Sequence, residues 1–251
     1  AAAFAQESGA SAGTATGMGF IGAALSTGLA CVGAGIGVAF EGTPLPGSRV
    51  VGMPLRRELV ELDRAELRAE AAASFGLDPA RPVLLVFGGS LGARRLNEAF
   101  AEAWSSVTAA GWQLLHAAGE RDELVDPGAP DYRVVPYLDR MDLALALADL
   151  VVSRAGAATV SELSALGIPA VYVPYAVGNG EQALNARSAV SAGAARIIPD
   201  AAFTTERVRS EVVPLLADAA ALGRMREAAA SVGTRTGTEN VVALIDRALG
   251  R

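Results

Sequence analysis

The stretch SRAGAATVSELSALGIPAVYVPYAVGNGEQALN, residues 153–185, follows an apolar strand, opens a helix through small residues and carries two separate carboxylates, Glu162 and Glu181. Just before and into it, Ala148–Ser153 (ADLVVS) has the short apolar pattern of a buried strand. Ala155-Gly156-Ala157-Ala158-Thr159 then puts nearly bare backbone in front of a helical segment over Val160–Leu166. A helix N-terminus carries roughly half a positive charge and up to four unpaired N–H donors, so phosphate oxygens can be held there without a metal. Thr159-Val160-Ser161-Glu162 also fits T-x-x-E, a capping box in which the two side chains merely satisfy each other's backbone amides. The two readings send Glu162 in different directions: toward a ligand, or back onto its own helix.

Upstream the same logic recurs. Pro82–Phe87 (PVLLVF) is a compact apolar strand, followed by the turn Gly88-Gly89-Ser90-Leu91-Gly92-Ala93-Arg94 and a helix over Leu96–Val107 with apolar residues at helical spacing. Tight strand-to-helix turns need glycine for backbone geometry alone. Two of them, on alternating strand and helix units, point to a parallel α/β sheet of Rossmann-like type with a ligand cleft at the carboxyl ends of its strands. Further along, Trp112–His116 reads as a strand and Arg196–Ile198 as the last one. Thr205–Leu216 reads as a helix capped by Thr204 or Thr205, and Ala219–Ala230 and Thr238–Leu249 as two closing helices. The final helix is expected to leave Val241, Leu244, Ile245 and Leu249 under-buried.

Composition narrows the function classes. The net charge is −6 and every basic residue is arginine, which gives no support for nucleic-acid binding. The chain has one cysteine, Cys31, and one histidine, His116, too few for an internal disulfide or a zinc site. His116, at a strand end, is expected to be a hydrogen-bonded structural residue. No D-x-D pair offers itself to a metal on a sugar diphosphate, so neither metal nor cofactor is expected, and main-chain amides would have to hold the phosphates.

GGSLGAR (88–94), HAAG (116–119), YLDRM (137–141), RAGAATVSE (154–162), IPAVYVPY (168–175) and GNGEQALNA (178–186) resemble, in order and separation, the C-terminal half of the MurG family. The resemblance covers about Val50–Leu249. It implies the C-terminal domain of a two-domain, B-type (GT-B) inverting hexosyltransferase that binds UDP-N-acetylglucosamine and passes the sugar to lipid I, an undecaprenyl-linked acceptor, to give lipid II for peptidoglycan. It also implies work at the cytoplasmic face of the cell membrane. By that resemblance Arg56 and the main chain at Leu138 lie around the uracil, and Ser90 lies on the nucleotide side. Ala157, Ala158 and Thr159 present amides to the diphosphate, Glu162 accepts from the ribose hydroxyls, and Glu181 and Gln182 contact the N-acetylglucosamine hydroxyls. The family usually has asparagine where Met53 stands and often two glutamines at 181–182, so Glu181 is a variant. Asn97 and Asn185 are weaker candidates, since asparagine early in a helix commonly shapes a cap or turn. The family's base lies in the N-terminal domain, in a glycine-rich loop ending in histidine. No such loop occurs here, so no catalytic residue is assigned, and donor binding without transfer is expected of the chain alone.

The first 48 residues differ in kind. No charge occurs between Glu7 and Glu41, and Met18–Phe40, as a helix, would span about 35 Å against a hydrocarbon layer of about 30 Å. This segment resembles the glycine-rich first helix of the ring proteolipid of ATP synthase, subunit c, with small residues that let helices pack closely. The expected layout is residues 1–17 as a flexible start, 18–40 as a hydrophobic and membrane-capable helix, 41–48 as a linker and 49–251 as the sugar-nucleotide domain. The pairing suggests a fused or truncated reading frame. Two alternatives stay open: another B-type sugar-nucleotide enzyme, such as an epimerase or glycolipid synthase, or a membrane proteolipid whose soluble part is incidental.

Overall fold

The computed structural model describes residues 51–89, 92–122, 124–175 and 180–250. The Met18–Phe40 segment, its resemblance to a proteolipid helix, the 41–48 linker, Cys31 and Ser90 all lie outside the described residues. Among the described residues, no helix is long and apolar enough to cross a membrane.

Elements are numbered in chain order. Helices α1 (Arg57–Val60) and α2 (Arg64–Phe75) precede β1 (Val83–Phe87), which leads through the glycine turn into α3 (Arg94–Ala109). There follow β2 (Gln113–Ala117), β3 (Tyr132–Val135), α4 (Met141–Leu147), β4 (Leu150–Ser153), α5 (Ala157–Ala165) and β5 (Ala170–Tyr172). After these come α6 (Glu181–Asn185), α7 (Arg187–Ser191), β6 (Ala195–Ile197), α8 (Thr205–Arg207), a π turn over Val208–Val212, α9 (Val213–Ala217), α10 (Ala219–Val232) and α11 (Gly237–Ala248).

The six strands form one sheet in the order β3-β2-β1-β4-β5-β6, and every neighbouring pair is parallel. That is the order of dinucleotide-binding sheets, whose direction of winding reverses between the first and fourth strands. Register makes the reversal a place: Phe87 lies opposite Ser153, so the loops leaving β1 and β4 start side by side.

Strand residues alternate between two cores, as a sheet covered on both faces requires. Leu84, Val86, Leu114, Leu150, Val152 and Val171 meet Leu96, Phe100 and Val107 of α3 and Val208, Val212 and Leu222. Leu85, Leu115, Val151, Ala170 and Tyr172 face the opposite layer, with Ala71 and Ala72 of α2, Leu143 and Leu147 of α4, and Leu163 of α5. Two arginines of α2 bind that layer to the end of α4. Arg64 donates to the carbonyls of Leu145 and Ala148, and Arg68 to the carbonyl of Leu147 and the carboxylate of Asp149.

Several boundaries differ from the sequence expectation. Helix α3 begins two residues earlier than Leu96, and β4 begins at Leu150 rather than Ala148. The last strand ends at Ile197, and the helix expected over Thr205–Leu216 is capped by Thr204 but loosens into the π turn before resuming. Strand β2 runs one residue further in, to Ala117. The closing helix does leave an apolar flank in solvent: Ile245 and Leu249 are exposed as expected, together with Val242, whereas Val241 and Leu244 are half-buried.

Candidate functional site

Helix α5 starts at Ala157, three residues before the expected Val160, because Ala157 and Ala158 are strong helix formers and extended backbone ends at Gly156. Gly156 is the N-cap residue and offers no side chain, so the first-turn amides of Ala157, Ala158 and Thr159 have no capping acceptor; the first bond of the turn runs from Val160 N to Gly156 O at 2.9 Å. Thr159 therefore stands inside the helix instead of at its cap. The capping-box reading of Thr159 and Glu162 is not realised.

Glu162 points elsewhere. Its Oε1 accepts from Nη2 of Arg56 at 3.3 Å, although the two residues are 106 positions apart. The Glu162 side chain is largely buried while Arg56 is exposed. Burial pushes the Glu162 carboxyl above the usual carboxylate range, and the Arg56 cation only partly offsets this. A largely buried carboxylate with one exposed arginine for company retains accepting capacity for hydroxyl donors.

The loop before α5 is gripped from several sides. Gln182 Oε1 accepts from the amides of Ala155 at 3.2 Å and Tyr175 at 2.9 Å, and Asn185 Nδ2 donates to Ala155 O at 3.1 Å. Arg154 donates to Val173 O at 2.9 Å and to Asp200 Oδ1 at 2.5 Å, while its guanidinium lies 5.4 Å from the centre of the exposed Tyr175 ring. Arg95, in the first turn of α3, donates to the other oxygen of Asp200. Thus β4, β5, the segment after β6 and the start of α3 are tied together at one edge. Gln182 orients main chain with its oxygen, leaving its amide nitrogen as the group that could meet a hydroxyl; Glu181 beside it is exposed.

On the β1 side, the glycine turn is held from below. A Cβ at Gly92, whose φ is +81°, would overlap the carbonyl oxygen of Ala118, so this approach needs glycine. Asn97 Nδ2 donates to Ala118 O at 2.8 Å and to Asp122 Oδ2 at 2.7 Å. Both Asn97 donors being so used, its oxygen accepts from His116 Nε2 at 2.9 Å, and His116 Nδ1 accepts from the Tyr132 hydroxyl at 2.9 Å. Complete burial lowers the His116 pKa to about 3, so the ring is neutral and structural. Leu138 follows β3 at the same end of the sheet with its side chain buried, so main chain is what it can offer.

The structure therefore brings Arg56 and Glu162 into contact, sets Ala157, Ala158 and Thr159 in one open helix turn, and places Gln182 against the loop that enters it. Leu138 and Glu181 share the carboxyl edge without bonding to these groups. Sequence reasoning missed Arg154 and Asp200; the one available signal was an arginine between a buried strand and a small-residue turn. Among the described residues no group of three His, Cys, Asp or Glu side chains is placed to hold a metal ion.

Comparisons with known proteins identify the family and the fold. Residues 83–241 match the glycosyltransferase family 28 C-terminal domain. A protein of Leifsonia xyli subsp. xyli named UDP-N-acetylglucosamine--N-acetylmuramyl-(pentapeptide) pyrophosphoryl-undecaprenol N-acetylglucosamine transferase is 58% identical over 210 residues, covering 84% of this chain and 59% of that protein. A protein of the same name from Clavibacter michiganensis subsp. michiganensis is 56% identical over 215 residues, 85% of this chain and 59% of its own length. The chain thus spans about three-fifths of the relatives it matches. The crystal structure of Acinetobacter baumannii MurG superposes with a TM-score of 0.65 at 26% identity, covering 82% of this chain and 58% of that one. A kitacinnamycin glycosyltransferase structure gives a TM-score of 0.54 at 28% identity over 68% of this chain and 43% of that one. The fold is the C-terminal domain fold of GT-B glycosyltransferases, and the chain belongs to the glycosyltransferase family 28 C-terminal domain family.

Proposed function

We propose that this chain is the donor half of a UDP-N-acetylglucosamine-dependent transferase acting on an undecaprenyl diphosphate-linked acceptor, the activity that its relatives' names state. The observation that carries the reading is the juxtaposition, at the sheet's reversal point, of an uncapped helix turn with a largely buried carboxylate three residues further on. The amides of Ala157, Ala158 and Thr159 would take the diphosphate oxygens, and the dipole of α5 would stabilise charge on the departing UDP. Glu162 would accept from the ribose hydroxyls, with Arg56, the main chain at Leu138 and Ser90 on the nucleoside side. The Gln182 amide nitrogen and Glu181 would meet sugar hydroxyls as donor and acceptor respectively.

Deprotonation of the acceptor hydroxyl is assigned to none of these residues. The transfer step belongs to the whole enzyme, of which this domain would fix the donor and stabilise the leaving group. A membrane-borne acceptor puts such work at the cytoplasmic membrane face, where UDP-sugars are found.

Titration calorimetry with UDP tests the reading. The chain should bind UDP, and Glu162→Ala should weaken binding by about ten- to a hundredfold, the loss of one or two charge-assisted hydrogen bonds. An unchanged affinity would remove Glu162 from the site. Competition among UDP-sugars checks the sugar: preference for UDP-N-acetylglucosamine over UDP-glucose fits the proposal, and no preference would leave a different sugar-nucleotide enzyme of the same fold.

A further inference from the structure

Behind the site, the turn Gly233–Gly237 fastens together the two pieces of chain that carry Arg56 and Glu162. Arg235 donates from Nε to the carbonyl of Ala165 at 3.2 Å, and from Nη1 to the carbonyls of Val60 at 3.0 Å and Leu62 at 3.2 Å. Ala165 is the last residue of α5, the helix of Glu162; Val60 is the last residue of α1, whose N-cap residue is Arg56. A single guanidinium therefore closes the C-terminal ends of two helices, where free carbonyls and the helix dipole favour a cation.

The main chain around it leaves no slack. A Cβ on Gly233 would overlap the carbonyl of Ser164, and one on Gly237 would overlap the carbonyl of Met53. Asn240 Nδ2 donates to Val51 O at 2.9 Å, pinning the start of the same strap. Arg56 itself is exposed and long, so its own side chain cannot fix where it sits. What fixes it is the placement of the backbone from Val51 to Leu62.

We infer that Arg235 is a positioning residue for the nucleotide site: it holds the 51–62 strap against the far end of α5 and so sets Arg56 and Glu162 at the spacing a nucleoside diphosphate meets. This rests on the donor-site reading above and extends it to a residue that touches neither ligand nor phosphate turn. Lysine keeps the charge but lacks the planar fork that reaches three carbonyls, which makes Arg235→Lys the informative change.

The experiment is UDP affinity of the full chain for the parent, Arg235→Lys, Asn240→Ala, Arg56→Ala and the double variant Arg56→Ala/Arg235→Lys. Arg235→Lys should weaken UDP about tenfold and Asn240→Ala about threefold, and the double variant should bind no more weakly than Arg56→Ala alone, because neighbours acting through one group are not additive. A lowered Tm with UDP affinity unchanged in Arg235→Lys, or losses that multiply in the double variant, would overturn the proposal and leave Arg235 a purely structural clamp. If Arg235→Lys does not fold, Asn240→Ala decides, and parent-like affinity there counts as refutation. Glu162→Ala in the same series separates two failures. Parent-like binding by Glu162→Ala sinks the donor-site reading, whereas loss in Glu162→Ala with none in Arg235→Lys sinks only the positioning role.

Discussion

At the start of α2 the Asp63 carboxylate accepts from the amides of Ala65 and Glu66 at 2.9 and 3.2 Å, and at the start of α10 Asp218 does the same for Ala221 at 2.8 Å. At the start of α5 there is Gly156 and no side-chain acceptor at all. All three are ordinary helices of one domain, with the same orphan donors to satisfy. The difference is where each lies: α5 alone of the three follows a strand beside the sheet's reversal point. Helices α2 and α10 are capped by their own aspartates, whereas α5 has no side-chain cap, as is also true of α3, α4 and α11; on the donor-site proposal its first-turn amides would meet a ligand anion.

Supplying the missing cap should expose the difference most sharply. Gly156 has φ −64°, and a Cβ there meets only Thr159 Oγ1, at 3.8 Å, so Gly156→Asp is sterically allowed. Its carboxylate should take the amides that the donor-site proposal gives to phosphate, leaving Tm equal or higher while UDP affinity falls by about a hundredfold, or about 2.7 kcal/mol. Retained UDP binding in Gly156→Asp would break the comparison outright. The converse change is smaller. Asp63→Ala removes a cap and should cost about 1 kcal/mol in chemical denaturation while leaving UDP affinity within error.

The smallest effect concerns Glu162. Its carboxyl titrates above the usual range in the folded chain, so the folded state holds the proton more tightly than the unfolded one. Its contribution to stability is then full below the ordinary carboxylate pKa and is lost as pH rises through the raised value. Glu162→Gln without ligand should therefore match the parent in acid and gain a little stability by neutral pH, below about 1 kcal/mol. A loss at neutral pH, measured by denaturation at several pH values, would make the carboxylate structural and not a group retained for binding.

Much of this was legible in the sequence because the signals are local. Apolar runs of strand length followed by glycine or alanine turns and amphipathic helices identify β1 and β4 and the side-by-side loops between them. T-x-x-E imitates a helix entrance and so puts the start of α5 too late; the helix-forming strength of Ala157 and Ala158 moves it to Ala157. What could not be read were pairings fixed only in three dimensions. Arg154 meets Asp200 across 46 positions, and Arg235 reaches Val60 across 175. Gln182 shows the subtler case: its residue type suits a sugar hydroxyl, yet its oxygen is committed to the amides of Ala155 and Tyr175.

The chain's one imidazole is wholly enclosed, on a strand flanked by β1 and β3. Its ring lies against Asn97 and Phe100 of α3, so an electrophile that carbethoxylates histidine reaches it only in molecules where that helix has come away from the sheet or the strands have parted. Each modified ring would thus record one unfastening event, and the labelling rate would follow the population of the opened form wherever closing outpaces the reagent.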